Sequence, residues 1–592
     1  MPRRSGRPDR WYDMSETNPE PQEFQRNGRT WDEEYDLVVL GSGGAGLTSA
    51  VVAAVEGLRP LVIEKTDYIG GTTALSAGTC WIPNNKFLRG KGVEGDDLAA
   101  EQYLDGLVGP LSPRELRSAF LANGPRMIEY LEQKCDVRFQ IYSTFVDYRQ
   151  EFEGAGLGGR PLEPMPFDGR KLGRNFARLR WPVPEWGLFG GRMQIRRPEA
   201  DRLLKIVRLS PDAFALGAKL VARYVADRLR YKRGTRLILG NALIAGLYHN
   251  LLMRHAPVWV GARSTQLVRE EGRVVGVLVQ YQGRELLVHA KRGVVLAGGG
   301  FPANAEWRDR YLRKPAAQFT RACEGATGET IALALRLGAS LGPLREDNAL
   351  WFPSSVGHRA DGSTMVFPHI WDRAKPGLVA VNSAGRRFVD ESVSYHEFTR
   401  GMYRSHEKLP SIPAMLVCDR KFLWKYGLGA VRPLTPFLKP YIDSGYLYSD
   451  RTLAGLARRI GVDADGLVET VADNNRYARS GDDEAFHKGT SPYGRQYGDP
   501  DHAPNPCLGP IERAPFFAIP VMPTPLGTAL GLRINPNGQV LDAAGEPMAG
   551  LYACGNDAHS IMGGEYPGGG IQVGAGMTFG YITGRHAAGK SD

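Results

Sequence analysis

The stretch Tyr35-Asp36-Leu37-Val38-Val39-Leu40 runs into Gly41-Ser42-Gly43-Gly44-Ala45-Gly46 and, past a run of small residues, into Pro60-Leu61-Val62-Ile63-Glu64-Lys65. An apolar strand, a GxGxxG turn, a helix and a second strand closed by an acid make a dinucleotide-binding βαβ unit. Each part has a physical task. Gly41 permits the tight turn, Gly43 lets the backbone approach a pyrophosphate, and Gly46 lets helix and strand pack closely. The helix start, Gly44-Ala45, offers free N–H groups to phosphate oxygens, and Glu64 falls at the distance where a ribose hydroxyl is bound. The expected fold class is α/β, a Rossmann-like domain.

The fingerprint alone does not separate NAD from FAD; the rest of the chain favours FAD. Gly70-Gly71-Thr72-Thr73-Ala74-Leu75-Ser76-Ala77-Gly78 is a second glycine and hydroxyl cluster, able to follow a long cofactor beyond its pyrophosphate. Downstream, a strand enters Ala297-Gly298-Gly299-Gly300 after an alternating meander whose turns are Glu271-Gly272 and Gln282-Gly283. A last strand ends in Gly555-Asn556-Asp557, and Gly568-Gly569-Gly570 opens a helix from Ile571 to Gly584. A helix N-terminus there can face the N1–C2 carbonyl edge of a flavin and stabilise its anionic reduced form. These segments, in this order, resemble the FAD-binding half of the fumarate reductase and 3-ketosteroid dehydrogenase superfamily. The resemblance covers nearly the whole chain after Asp32.

Four regions are expected. Residues 1–31, rich in Arg, Pro, Asp and Glu without an apolar run, read as a disordered tail and not as a signal peptide. Residues 32–346 form the first part of the FAD-binding domain and 524–592 its C-terminal part. Between them, 347–523 form an inserted α+β substrate domain, rich in Trp, Phe and Pro. No apolar run reaches the length of a membrane span, and Leu237 to Met253, with Asn241, His249 and Asn250, reads as a core helix. Six scattered cysteines without a C-x-x-C pair fit a reducing, cytoplasmic setting and give no cysteine-ligated iron–sulfur cluster. No metal site is expected.

Charge is concentrated in one place. Residues 190–236 hold thirteen basic and four acidic residues, an excess of +9 in a chain of formal charge +10. Within them Ala213 to Lys232 has helical spacing, with Leu216, Leu220, Val221, Tyr224, Val225 and Leu229 in one stripe flanked by basic residues. Such a helix suits an anionic membrane surface, placing the protein peripherally on the inner face of the membrane. A core-facing helix with a solvated basic back is the other reading. No nucleic-acid module surrounds it, and no nucleic-acid partner is expected.

The substrate is read from tyrosines. In fumarate reductases a hairpin similar to Gly385-Arg386-Arg387-Phe388 leads to a catalytic arginine, where this chain has Tyr395. A substrate-binding arginine precedes their last helix, where this chain has Tyr566 in Tyr566-Pro567-Gly568-Gly569-Gly570. Two guanidiniums able to clamp carboxylates have become phenols, so a dicarboxylate substrate is not expected. Together with Glu391-Ser392-Val393-Ser394-Tyr395 and Phe145-Val146-Asp147-Tyr148, these residues look like the active site of the bacterial 3-ketosteroid Δ1-dehydrogenase family. The chain departs from the family pattern at Ser394, where proline is common, and in its basic insertion.

That resemblance implies a mechanism. The Tyr566 hydroxyl and the Gly570 backbone N–H bind the ketone oxygen as it becomes an enolate, Tyr395 as phenolate takes the α-proton, and a non-covalent FAD accepts hydride. An unperturbed phenol has a pKa of about 10, so Tyr395 needs lowering, with Tyr148 as the donor. An apolar steroid suits Trp81, Trp351, Phe352, Phe367 and Trp371 as walls, and an electron acceptor such as a quinone reoxidises the flavin. The alternatives are a Δ4-(5α)-dehydrogenase, a flavin dehydrogenase or enoate reductase of another cyclic ketone, and a non-catalytic flavoprotein.

Overall fold

In the computed structural model, residues 28–590 are described, apart from 143, 197–198, 200–201 and 204–209. The expected tail, residues 1–31, lies almost wholly outside them.

The fingerprint strand Glu33–Leu40 lies between two parallel neighbours, Pro60–Glu64 and Arg284–Leu296, in an 8-stranded sheet. Val258–Val260 extends it on one side, and Pro547–Ala553 joins Arg284–Leu296 in parallel. Leu37 to Leu40 are buried, as strands covered on both faces require. The long strand Arg284–Leu296 serves two structures. Its first half closes the antiparallel meander with Arg263–Glu270 and Arg273–Tyr281, and its second half runs to the glycines at 298–300. Both expected turns have left-handed residues in sequence, Glu271 with Gly272 and Gln282 with Gly283.

Helix Gly44–Val55 packs along the C-terminal helix Ile571–Ala587. Glycine makes this closeness possible: a Cβ on Gly580 would meet Ala45 O at 2.4 Å. The expected core helix is Leu239–Met253, nearly enclosed.

A separate 6-stranded sheet forms the inserted unit: Thr364–Pro368, Ala349–His358, Phe516–Thr528, Ala414–Asp419 and Leu378–Val381, with Tyr448–Asp450 on Phe516–Thr528. Strand Phe516–Thr528 runs through the expected 523/524 boundary, because its last residues pair with Ala349–His358 and stay in this sheet.

The basic segment contains helix Pro211–Arg228, two residues earlier at its start than expected and four shorter at its end. Among the described residues its apolar stripe is covered only in part: Leu216, Leu220 and Tyr224 are half-buried, whereas Val221 and Val225 are exposed and Leu229 is 84% exposed. Much of the segment before it lies outside the described residues. No helix among the described residues is long and apolar enough to cross a membrane.

Candidate active site

A cavity of about 1650 Å³ runs between the two sheets. Its nucleotide end is lined by Gly41, Gly43, Gly44, Ala45, Glu64, Lys65, Gly71, Thr72 and Thr73, then Ser76, Ala77 and Gly78. Ala297, Gly298, Gly299, Gly555, Asn556 and Gly570 complete it. Gly41 has φ +117, and a Cβ there would meet Ala297 O at 2.2 Å, so only glycine makes the turn. Gly43 faces open space, its nearest neighbour to a virtual Cβ being Thr73 Oγ1 at 4.0 Å. The N-cap Gly43 has no side chain to cap helix Gly44–Val55; Gly44 N donates to Thr73 Oγ1 at 3.1 Å, and the N–H groups of Ala45 and Gly46 that follow suit an anionic ligand. Glu64 is buried and ordered from within, accepting from Ser42 N at 3.1 Å, Ser42 Oγ at 2.6 Å and Thr66 N at 2.8 Å. Lys65 donates to Thr327 Oγ1 at 2.6 Å. This cradle fits FAD.

Three expected residues sit off the cavity surface. Gly46 packs against the turn, where a Cβ would meet Gly41 O at 2.2 Å. Asp557 is one layer behind, accepting from Gly298 N at 2.7 Å and Gly300 N at 2.8 Å, and so shapes the glycine floor. Ile571 is buried and turned away; Gln572 and Val573, the next residues, line the cavity instead. The Gln572 Nε2 is buried without a partner, and its Oε1 accepts from Asn556 Nδ2 at 3.3 Å. One residue of helical phase, about 100°, decides this, and a motif that stops at 571 does not carry it.

At the other end Tyr148, Tyr395 and Tyr566 come together from three distant segments. The Tyr148 hydroxyl donates to the Tyr395 hydroxyl at 2.8 Å. Tyr148 and Tyr566 stack at 5.3 Å, and both meet Tyr395 edge-on at 5.3 Å. Phe352 closes the group, 4.3 Å from the Tyr395 ring. Tyr395 opens helix Tyr395–His406, whose N-cap Ser394 accepts from Glu397 N. The departure to serine at 394 therefore supplies a cap. Gly570 has φ +100, and a Cβ there would meet Thr79 O at 2.4 Å, so the position is confined to glycine, and it lines the cavity.

Burial dominates the phenols. It pushes Tyr148 well above the ordinary tyrosine value and Tyr566 up to about 12. Tyr395 is also raised well above it, first by burial and then by Tyr566, while the Tyr148 hydrogen bond acts in the lowering direction. A lowered Tyr395 is thus not what the structure holds. The expected lowering influence is present, and among apolar rings desolvation outweighs it.

Sequence reading missed the ionic clamp behind the tyrosines. Arg400 donates to Asp347 at 2.7 Å, to Glu397 at 2.8 Å, and to both Glu565 oxygens at 2.9 Å. Arg149 meets Glu397 at 3.2 Å. Arg149 follows Tyr148, Glu397 is two residues past Tyr395, and Glu565 precedes Tyr566, so one network holds all three tyrosine segments. The motifs contained these charges, but their pairing spans hundreds of residues. His396, beside Tyr566, is held neutral, first by burial and then by Arg400, its pKa down to about 3.

Of the expected walls, Phe352, Phe367 and Trp371 line the cavity. Trp81 and Trp351 do not; both are fully enclosed, donating through Nε1 to Asp147 at 2.7 Å and Asp347 at 2.9 Å. Among the described residues no group of three His, Cys, Asp or Glu could hold a metal ion.

A dinucleotide cradle leading to a cluster of phenols defines a flavoprotein oxidoreductase, and comparison with known proteins agrees. Residues 36–573 match the FAD binding domain family. The 3-oxosteroid 1-dehydrogenase of Mycobacterium tuberculosis is 37% identical over 570 residues, covering 94% of this chain and 98% of that protein. The 4-oxocyclohex-2-ene-1-carboxylate 5-dehydrogenase of Sinomonas cyclohexanicum is 34% identical, covering 93% of each. The crystal structure of 3-ketosteroid Δ1-dehydrogenase from Sterolibacterium denitrificans, in complex with 1,4-androstadiene-3,17-dione, superposes with a TM-score of 0.88. It is 36% identical and covers 94% of this chain and all of its own. The chain belongs to the 3-oxosteroid 1-dehydrogenase family. It is an FAD-dependent oxidoreductase acting on CH–CH groups.

Proposed function

We propose that this enzyme dehydrogenates a 3-ketosteroid, introducing the C1–C2 double bond. The observation that carries the reading is the meeting of Tyr148, Tyr395 and Tyr566 at one end of a large, aromatic-walled cavity. The Tyr566 hydroxyl and Gly570 N–H bind the ketone oxygen as charge develops on it, where donors are worth most. Tyr395 removes the α-proton, and Tyr148, whose raised pKa keeps it a phenol, donates to the Tyr395 oxygen as that oxygen carries charge. Bound FAD supplies the hydride acceptor. The clamp of Arg400 and Arg149 holds the three phenols in register.

The cavity mouth supports peripheral membrane attachment. Gly217, Leu220 and Val221 of the basic helix line it, as do Lys425, Arg432 and Pro433. Phe189 stacks on Tyr224 at 5.1 Å, Arg432 donates to Gly187 O at 2.9 Å, and Leu434 N donates to Trp424 O at 2.9 Å, joining these segments. Phe189, Val225, Trp424 and Phe437 (79% exposed), on or next to these segments, present apolar surface to solvent among basic residues. An apolar rim with cationic flanks suits anionic lipid, from which an apolar substrate would enter directly.

The test is anaerobic addition of androst-4-ene-3,17-dione, with product analysis after turnover with an artificial acceptor. Bleaching of the flavin and a 1,4-diene product are expected. An unbleached flavin overturns the reading, and a product formed only from the 5α-reduced analogue favours Δ4 chemistry.

A further inference from the structure

Arg321 stands in the wall of this cavity without a counter-ion. Its Nη1 donates to Val366 O at 3.0 Å, and its guanidinium lies over the Trp186 ring at 4.3 Å. Its Nη2 is shut off from solvent and has no acceptor. Among the described residues no acid comes within ion-pair distance of it. Glu185, whose charge it senses, is already held by Arg359 at 2.7 Å. Two fully enclosed arginines of this protein, by contrast, are satisfied. Arg160 pairs with Asp147 at 2.6 Å and Asp96 at 2.9 Å, and Arg373 spends its nitrogens on His369 O, Glu391 O and Val393 O. Burial pushes the Arg321 pKa down to about 10, the mark of a desolvated cation that is still charged at neutral pH.

Its place in the cavity is informative. Val366 pairs with Val356, on the strand that carries Phe352 against Tyr395. From Phe352 to Val356 is four residues of strand, roughly 13 Å at about 3.3 Å per residue. The backbone that anchors Arg321 is therefore well removed from the phenols, towards the end of the cavity where Trp186 and Phe367 lie. A cationic guanidinium in a cavity wall with no acid beside it is costly unless a ligand supplies the counter-charge, and its planar fork matches a carboxylate.

We propose that Arg321 binds a carboxylate at the end of the substrate remote from the ketone, so that the enzyme prefers acid-bearing 3-ketosteroids. The proposal rests on the steroid reading above and names the feature that selects among steroids. The test compares a 3-keto-4-ene steroid carrying a C17 side-chain carboxylate with its own methyl ester, in wild type, Arg321→Met and Arg321→Lys. In wild type kcat/KM should favour the acid at least tenfold. Arg321→Met should reduce that ratio at least tenfold while retaining FAD, and Arg321→Lys should keep part of it. A wild-type ratio near one, an unchanged ratio in Arg321→Met, or loss of FAD from both variants overturns the proposal while the dehydrogenase reading stands. Failure of wild type to turn over either steroid overturns both.

Discussion

The Tyr148 hydroxyl donates to the Tyr395 hydroxyl across 2.8 Å, joining a loop of the nucleotide-binding part to the first residue of a substrate-domain helix. Because this bond lowers a Tyr395 pKa that burial raises, its loss has a definite sign. Activity that needs the Tyr395 phenolate rises with pH. Tyr148→Phe should move that rising limb to higher pH while leaving turnover measurable. Stopped-flow flavin reduction across pH checks this, and an unmoved limb contradicts it.

The other two phenols should fail differently. Tyr395→Phe keeps the ring packing but removes the base, so substrate should still perturb the flavin spectrum while reduction nearly stops. Tyr566→Phe removes one of two donors to the developing enolate, a loss typically worth on the order of 10²–10³ in rate. Near-normal reduction in Tyr395→Phe at neutral pH would sink the mechanism.

FAD attachment should be non-covalent. No histidine falls between Ile69 and Ile82, and none lines the cavity among the described residues. Acid precipitation should leave yellow FAD in the supernatant; colour retained in the pellet would show a covalent link.

Membrane attachment should be salt-sensitive. The +9 segment, with its exposed Val221, Val225 and Leu229, should bind anionic liposomes at low ionic strength. Screening within about 8 Å at physiological ionic strength should weaken the attraction. Lys219→Glu with Arg223→Glu should reduce co-sedimentation several-fold with turnover of soluble substrate retained. Indifference of wild type to anionic liposomes at low salt refutes the idea.

Acid should loosen the substrate domain through Glu391. It is fully buried, and although burial opposes its charge, Arg387 and then Lys488 hold its pKa at about 2 against an ordinary 4.5. Arg387 reaches it at 2.7 Å and Asp483 at 2.8 Å. A depressed carboxylate stabilises the fold above its unfolded pKa and loses that contribution as pH falls from about 4.5 towards 2. Glu391→Gln leaves Arg387 and Lys488 short of charge, and breaking such a pair costs about 3–5 kcal/mol. Urea unfolding at pH 7 and pH 3 should show a large loss at pH 7 that narrows at pH 3; equal stability at pH 7 refutes it.

By itself the sequence determined the local pieces. Gly41 and Gly46 each meet a backbone constraint that no other residue satisfies, and the turns at Glu271-Gly272 and Gln282-Gly283 are two-residue signals. Strand alternation and the small-residue helix are likewise short-range, so the nucleotide half was legible within a residue or two. Tertiary structure decided what depends on which surfaces meet. It enclosed Trp81 and Trp351 and left Phe352, Phe367 and Trp371 on the cavity, though all five are alike as residue types. It carried strand Phe516–Thr528 across an expected boundary, because pairing partners, not composition, assign a strand to a sheet. It brought Arg400 to Glu565 across 165 positions and left Arg321 without an acid. It also set the Tyr395 pKa, since desolvation depends on everything packed around a group, and no short motif contains that.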